Sequence, residues 1–543
     1  MTPTLDSSLL MKKSHMNLKH HLLKHALPMK RQQRSLTIPN GLRACAINRP
    51  HQTAIRIDEQ SLTYSQLIER VNKVSAGGLG DFRINPGERI ALALPNCLSY
   101  MELVTGFSAI GAPCAMIPPM ASVAELVFIL EDCTPKLVVC HVSNEDVVRA
   151  AAKGIVSHIL VVGRSGPDSY EDWLYQANRP LYLPVIEETD IFSIPYSSGA
   201  TGKPKGILLS HRSRILSAYV AAAEYRAFGP DTRMLVSTPI FHGAGFLNLL
   251  APLLFGGQAI ILPKFSINNL LNLIEQHQIN KAHMVPAHFS AYFNLSNAER
   301  TQFNIASLKC LVSGTAPLSQ EMKIRIVEAF GDHVLNERYG STEASLVTNL
   351  RPEDQLRKSA CVGNAFATVE IEIRDSMGNP VTDGQVGELW SRSPLMFSGY
   401  WNRPQMQTQT VKNGWVTAGD MARRDEEGYV YLVDRKNDMI ISGGENIYPR
   451  EIEEVLLQHP HIEEVAVIGI PHDYWGEALT AVIHLRNGEP IALEELKTHC
   501  STKLARWKHP KYWYFTESLP RNSMGKILRR DLKSITEALK RYE

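Results

Sequence analysis

Tyr196-Ser197-Ser198-Gly199-Ala200-Thr201-Gly202-Lys203-Pro204-Lys205-Gly206 follows directly on an apolar run, Ile191-Phe192-Ser193-Ile194. One loop thus gathers three glycines, the hydroxyls of Ser197, Ser198 and Thr201, and the ammonium groups of Lys203 and Lys205. Glycines let backbone N–H groups turn inward on a phosphate, hydroxyls donate hydrogen bonds, and lysines supply charge. The spacing is not that of a Walker A loop, which reads GxxxxGK[ST] and opens a helix. Taken alone, the stretch reads nearly as well as a flexible surface loop, so its surroundings decide.

Around it, short β-branched runs alternate with helical patterns. Arg89-Ile90-Ala91-Leu92-Ala93-Leu94, Leu137-Val138-Val139-Cys140, Ile159-Leu160-Val161-Val162 and Ala259-Ile260-Ile261-Leu262 read as strands, with helices over 65–74 and 268–277. This alternation predicts an α/β protein with largely parallel sheets. From about Val369 the texture changes to strands and turns, and a boundary falls at Asp434-Arg435-Lys436-Asn437. Beyond it, a helix over 449–458, strands over 465–470 and 480–485, and a helix over 493–504 predict a small α+β domain.

Composition excludes several classes. The chain has 543 residues, 44% hydrophobic and 21% charged, which is ordinary for a folded protein. With 57 basic and 55 acidic residues the net charge is +2, so no overall field favours nucleic acid. The eight cysteines form no CxxC pair and predict neither a disulfide scaffold nor a structural zinc site. Residues 1–35 carry seven Lys or Arg, four His and one acid, Asp6. They read as a disordered basic extension; import into an organelle stays open, with the cytoplasm as the default compartment. Stretches 103–124 and 237–263 lack charge, but prolines and glycines break both. They read as buried core, not as membrane spans, and leave only peripheral membrane contact through acyl substrates.

Further motifs follow in order: Pro239-Ile240-Phe241-His242-Gly243-Ala244-Gly245; Ser313-Gly314-Thr315-Ala316-Pro317-Leu318; Tyr339-Gly340-Ser341-Thr342-Glu343; Gly387-Glu388-Leu389; Trp415-Val416-Thr417-Ala418-Gly419-Asp420; Asp434-Arg435-Lys436-Asn437-Asp438; Ser442-Gly443-Gly444-Glu445-Asn446-Ile447-Tyr448-Pro449; and Pro520-Arg521-Asn522-Ser523-Met524-Gly525-Lys526-Ile527. With the glycine-rich loop, this series resembles the adenylate-forming superfamily, its acyl-CoA synthetases in particular, over roughly residues 36 to 535. The resemblance implies a large N-terminal domain of β-sheets flanked by helices with a small β-barrel-like subdomain (36–434). It also implies a small mobile α+β C-terminal domain (435–543).

The implied reaction joins a carboxylic acid to the α-phosphate of ATP with loss of pyrophosphate; CoA then displaces AMP. An anion attacking a polyanion requires positive charge aimed at the developing charge. The resemblance assigns that task to Mg²⁺ with Glu343 as ligand, to Ser197, Ser198, Gly199, Thr201, Gly202, Lys203 and Lys205 of the loop, and to Lys526. It places Thr342 on the α-phosphate, Gly314, Thr315, Ala316 and Pro317 at the adenine side with Tyr339, Gly340 and Ser341, and Asp420 and Arg435 on the ribose. His242 orients the acid or gates the thiol. Ser442, Gly443 and Gly444 form the face of the second half-reaction, exchanged with Lys526 by rotation of the small domain.

Departures from the family pattern are Ala200 for a hydroxyl residue, Asn437 at the hinge, Met524 before Gly525-Lys526, and Arg338 before Tyr339. Arg338 reads either as a surface arginine or as a partner for a second carboxylate; malonyl-CoA synthetases resemble this chain there. The lining stretches 242–247, 283–288, 313–316 and 338–341 are mainly small and apolar, which predicts fatty or aromatic acids. Alternatives are a stand-alone enzyme loading a carrier protein, a dicarboxylate ligase, and a catalytically dead relative. The last predicts erosion at Glu343, Asp420, Arg435 and Lys526, and all four are intact. No residue pattern addresses oligomeric state.

Overall fold

The computed structural model describes residues 35–177, 183–198, 204–436, 438–443, 445–488, 491–521 and 527–542. The basic extension therefore lies outside the described residues, apart from its last position.

A seven-stranded sheet carries the glycine-rich loop. Its parallel core is Ile191–Ser198, Cys114–Met116, Ile90–Ala93, Leu137–His141 and Ile159–Val162, in that spatial order. Pro204–Ser210 returns antiparallel against Ile191–Ser198, and Gly399–Tyr400 pairs beyond it. The glycine-rich stretch thus lies between two antiparallel strands, and the residues that follow it form a strand and not a helix.

A nine-stranded sheet has six parallel neighbours at its centre: Leu335–Ser341, Cys310–Ser313, Lys281–His283, Arg233–Val236, Gln258–Ile261 and Thr53–Ile57. Ser345–Leu350 folds back antiparallel on Leu335–Ser341. The two sheets share one apolar core, which includes Phe107, Phe192, Phe246, Leu250 and Ile261. Helices Ser99–Ser108, His211–Tyr225 and Gly243–Leu254 contribute to that core. The two uncharged stretches are accounted for here. The first runs from a helix buried along its whole length into strand Cys114–Met116, and the second holds Gly243–Leu254 and Gln258–Ile261. Among the described residues no helix is long and apolar enough to cross a membrane.

From Glu370 the chain builds the curled half-barrel, an antiparallel sheet of Glu370–Arg374, Gly387–Arg392, Trp415–Arg424, Val411–Lys412 and Val430–Arg435. The last sheet is Glu445–Ile447, Ile440–Ser442, Gly476–Leu485 and Ile462–His472, with Tyr512–Phe515 parallel to Gly476–Leu485. Helices Pro449–Leu456 and Leu493–Ser501 supply Ile452, Leu456, Leu496 and Cys500 to its own core with Trp513.

Candidate active site

Strands Arg233–Val236, Lys281–His283, Cys310–Ser313 and Leu335–Ser341 run parallel, so their C-terminal ends lie along one edge of the sheet. The crevice outside the carboxyl ends of such strands is where α/β sheets bind ligands. His242, Gly314 to Pro317 and Thr342-Glu343 all follow these ends.

The turn Thr342-Glu343-Ala344 closes the hairpin between Leu335–Ser341 and Ser345–Leu350. Its tightness depends on Gly340, where a β-carbon would stand 1.9 Å from the Ser345 carbonyl oxygen. The Ser341 hydroxyl accepts the Ala344 N–H at 3.0 Å and pins the turn.

Glu343 sits at the meeting of the two sheets. Lys205, on the return strand of the glycine-rich hairpin, donates to Glu343 Oε1 at 2.7 Å. The Tyr400 hydroxyl donates to the same oxygen at 2.7 Å, and Lys205 Nζ lies 3.0 Å from that hydroxyl. Burial alone would raise the Glu343 carboxyl. The Lys205 ammonium and the Tyr400 hydrogen bond outweigh it and hold the carboxyl below its usual range. The hairpin also places Ser197 opposite Lys205.

A second group forms on the half-barrel. Asp420 and Arg435 are direct cross-strand partners, with Arg435 Nε 3.4 Å from Asp420 Oδ1. Tyr339 donates its hydroxyl to Asp420 Oδ2 at 2.6 Å. Glu388 anchors the approach to Asp420. It accepts the Thr417 hydroxyl at 2.9 Å and the Lys436 ammonium at 2.9 Å, and the Thr417 oxygen accepts the Gly419 N–H. Asp420 is buried within its strand, so it is not a solvated turn residue.

Gly314 packs under the neighbouring strand: a β-carbon there would meet Arg338 Cγ and the Arg338 carbonyl oxygen at 2.9 Å each. Thr315 takes a left-handed conformation, φ 72°. The reading of Arg338 as a surface arginine does not hold, since only 8% of the residue is exposed. Strand alternation turns it inward.

His242 is the N-cap of Gly243–Leu254. Its ring is buried against Phe241, Nε2 has no hydrogen-bond partner, and burial pushes its pKa down to about 4. The ring is therefore neutral at physiological pH, which suits positioning and not storage of a proton. Arg214, buried on helix His211–Tyr225, donates to the Ser345 hydroxyl at 3.2 Å. Its guanidinium also lies beside Gly243, with Nη1 4.0 Å from where a β-carbon would stand.

The structure thus brings Ser197, Lys205 and Glu343 together, and Tyr339, Asp420 and Arg435 together, at the carboxyl end of strand Leu335–Ser341, which also carries Gly340 and Ser341; Gly314 follows the end of the neighbouring strand. Ser442 and Gly443 belong to the last sheet instead. Gly443 has φ 62°, donates its N–H to the Trp475 carbonyl at 2.8 Å, and faces the Trp475 ring. Gly443 lines an open cavity of about 580 Å³ with Ile441, Tyr474, Trp475 and Gly476. Gly199, Ala200, Thr201, Gly202, Lys203, Asn437, Gly444, Met524 and Lys526 lie outside the described residues. Sequence reasoning missed Tyr400 and Arg214. Neither stands in a motif that marks it; only the fold brings them to Lys205 and Ser345.

The site thus combines a carboxylate held below its usual range on a tight turn with an Asp–Arg cross-strand pair at one end of a parallel sheet. The family comparisons give the class. Residues 42–401 match the AMP-binding enzyme family and residues 451–526 its C-terminal domain, so the chain belongs to the AMP-binding enzymes and is an AMP-forming acid–CoA ligase. Similar curated proteins are a 2-succinylbenzoate–CoA ligase of Bacillus cereus (31% identical over 93% of this chain and all of that one) and a feruloyl-CoA synthase of an Amycolatopsis species (33%, over 89% and 96%). Among solved structures, ATP-bound MatB from Rhodopseudomonas palustris superposes with a TM-score of 0.85, at 28% identity over 92% of this chain and 99% of that one.

Proposed function

We propose that the crevice binds ATP with its ribose on Asp420 and Arg435, its adenine along Gly314, Thr315, Ala316 and Pro317 with Tyr339, Gly340 and Ser341, and its phosphates under the glycine-rich hairpin. The observation that carries this is the Asp420–Arg435 cross-strand pair beside Tyr339. A fixed carboxylate accepts from two vicinal hydroxyls while a guanidinium donates. Thr342 then faces the α-phosphate, where a substrate carboxylate attacks and pyrophosphate departs. Lys205, Lys203 and Lys526 supply cationic charge to the pentavalent arrangement, and His242 positions the acid.

Glu343 fits a Mg²⁺ ligand. It is a hard anionic oxygen kept ionised next to a phosphate site, and Mg²⁺ is held by one or two carboxylates plus substrate phosphates. Bound there, the ion would neutralise charge on the leaving pyrophosphate. Among the described residues no cluster of three or more His, Cys, Asp or Glu could hold a metal without the nucleotide. For the thioester step, Gly443 and the Trp475 face are proposed to receive the pantetheine arm of CoA after the small domain rotates about the Lys436–Asp438 segment. The cavity of about 580 Å³ at Gly443 supports that reading.

The test is release of AMP and pyrophosphate from Mg·ATP over a panel of carboxylic acids, each with and without CoA. CoA-dependent AMP formation with one class of acid is the expected outcome. Pyrophosphate release that is indifferent to CoA would move the acceptor to a carrier protein. No release with any acid would refute the adenylation assignment.

A further inference from the structure

The strand pair that flanks the glycine-rich stretch has two faces. Tyr196 lies opposite Gly206, and Ser197 opposite Lys205. Gly399–Tyr400 extends the pair, with Tyr400 opposite Ile207 and the Trp401 N–H donating to the Gly206 carbonyl at 2.9 Å. Successive side chains alternate, so Lys205 and Tyr400 point to one face, where they meet Glu343, and Tyr196 and Trp401 point to the other. Gly206 leaves room between these two rings: a β-carbon there would stand 3.1 Å from Tyr196 Cζ and 3.2 Å from Trp401 Cβ.

One carboxylate holds this second face. Asp132 is the last residue but one of helix Val123–Cys133, and its side chain is 8% exposed. Its Oδ2 accepts the Tyr196 hydroxyl at 2.7 Å, and its Oδ1 lies 2.8 Å from Arg403 Nη2. Its carbonyl oxygen accepts the Trp401 indole N–H at 2.9 Å. Arg89 donates to the Cys133 carbonyl at 2.7 Å and lies 4.9 Å from the Trp401 ring centroid, so the helix end, Arg89 and Trp401 form one block. Hydrogen bonds to an ionised group are about twice as strong as neutral ones, so the Tyr196 contact is a firm one. Asp132 stands in none of the catalytic motifs, 64 residues before Tyr196 and 269 before Trp401.

We propose that Asp132 is a positioning residue of the adenylation step. From behind the sheet it fixes, through Tyr196 and Trp401, the strands that present Ser197, Lys205 and Tyr400. Ser197 follows Tyr196, Tyr400 precedes Trp401, and Lys205 lies opposite Ser197. The inference rests on the ATP pose proposed above, with the phosphates at this hairpin. A loosened hairpin weakens the hold on the β- and γ-phosphates, which AMP lacks, and leaves the ribose site on Asp420 and Arg435 as it is. A merely structural role would lower the folded fraction and so scale ATP and AMP binding alike.

The experiment measures Kd for Mg·ATP and for AMP by calorimetry on the full chain, beside pyrophosphate release over the acid panel. Asp132→Ala should raise the Kd for Mg·ATP about tenfold, the scale of one charge-assisted hydrogen bond, and leave that for AMP unchanged. Tyr196→Phe, which removes a single oxygen, should shift the two constants in the same way. Asp132→Asn, whose amide oxygen still accepts the phenol, should fall between Asp132→Ala and the parent. Combining Asp132→Ala with Tyr196→Phe should weaken Mg·ATP no further than Asp132→Ala alone, because Tyr196 acts through the carboxylate. If Asp132→Ala does not fold, Tyr196→Phe and Asp132→Asn decide. ATP and AMP affinities that fall together, an unchanged Mg·ATP affinity in the folded variants, or additive losses in the double variant overturn this inference and leave the ligase reading standing. A parent that binds no Mg·ATP and releases no pyrophosphate with any acid overturns both.

Discussion

Replacing Lys205 by Met tests the junction at Glu343. The Lys205 and Glu343 side chains are 18% and 12% exposed and 2.7 Å apart. Removing one partner of a fully buried ion pair costs about 3–5 kcal/mol. The residual exposure, and the Tyr400 hydroxyl that still donates to the same oxygen, lower the expectation to about 2–3 kcal/mol at pH 8. The sign with pH follows from Glu343. In the parent its carboxyl is held below the ordinary 4.5, so its contribution is complete above that value and is lost as pH falls through the lower folded pKa. In the variant burial dominates and raises the carboxyl. The penalty is then greatest at high pH and fades as falling pH protonates Glu343. The deficit of Lys205→Met relative to the parent should therefore shrink between pH 8 and pH 5. Adding Glu343→Gln should recover part of it, because the buried unpaired charge is gone. Thermal and urea denaturation of the parent, both single variants and the double variant would measure the cycle. A double variant no more stable than Lys205→Met at pH 8, with a deficit that does not change with pH, would refute the reasoning.

Gly340→Ala should yield protein with a strongly lowered melting temperature and no adenylation, because its β-carbon would lie 1.9 Å from a backbone oxygen that cannot move without opening the Glu343 turn. Asp420→Asn should raise KM for ATP by about 10²-fold in steady-state assays, since a neutral amide accepts more weakly than the carboxylate, while secondary structure by circular dichroism is unchanged. His242 has a pKa near 4, so the pH profile of kcat/KM from 5.5 to 7.5 should contain no ionisation that disappears in His242→Asn. An ionisation near 6.5 that this substitution removes would show that the ring titrates as if exposed.

The elements legible in sequence were those whose pattern is their own. The helix expected over 268–277 forms as Ile267–Gln276, and the strand over 137–140 as Leu137–His141. The strand expected over 465–470 is longer, Ile462–His472. The added residues, Ile462 to Glu464 and Pro471-His472, are mostly not apolar, and they are held by pairing along Gly476–Leu485, a partner that local composition does not reveal. Motif spacing likewise located Glu343, Asp420 and Arg435 but not what holds them. Tyr400 lies 57 residues after Glu343 in the chain, and only the packing of two sheets makes it a hydrogen-bond donor there. Arg338 was ambiguous for a simpler reason. Adjacent residues in a strand point to opposite faces, and a single position does not say which face is covered. Glu337 pairs with Lys323 on one face while Arg338 is buried on the other.

The strand Val430–Arg435 has a consequence for recombination between relatives. Arg435 is stitched to Asp420 and belongs to the half-barrel. Its neighbour Asp434 instead accepts the Arg450 N–H at 2.9 Å, and three residues beyond Arg435, Asp438 accepts from Arg529, which also grips Glu453. Ancestry on the two sides of this junction is therefore interlocked by alternate residues. A hybrid gene spliced before Asp434 would take Arg435, the cross-strand partner of Asp420, from the other parent. One spliced after Asp438 would split the Arg529 acids between parents. The breakpoint that keeps every partnership within one lineage is not a single position, so a working chimera has to carry Asp434 and Asp438 with the downstream parent while matching Arg435 to the upstream one.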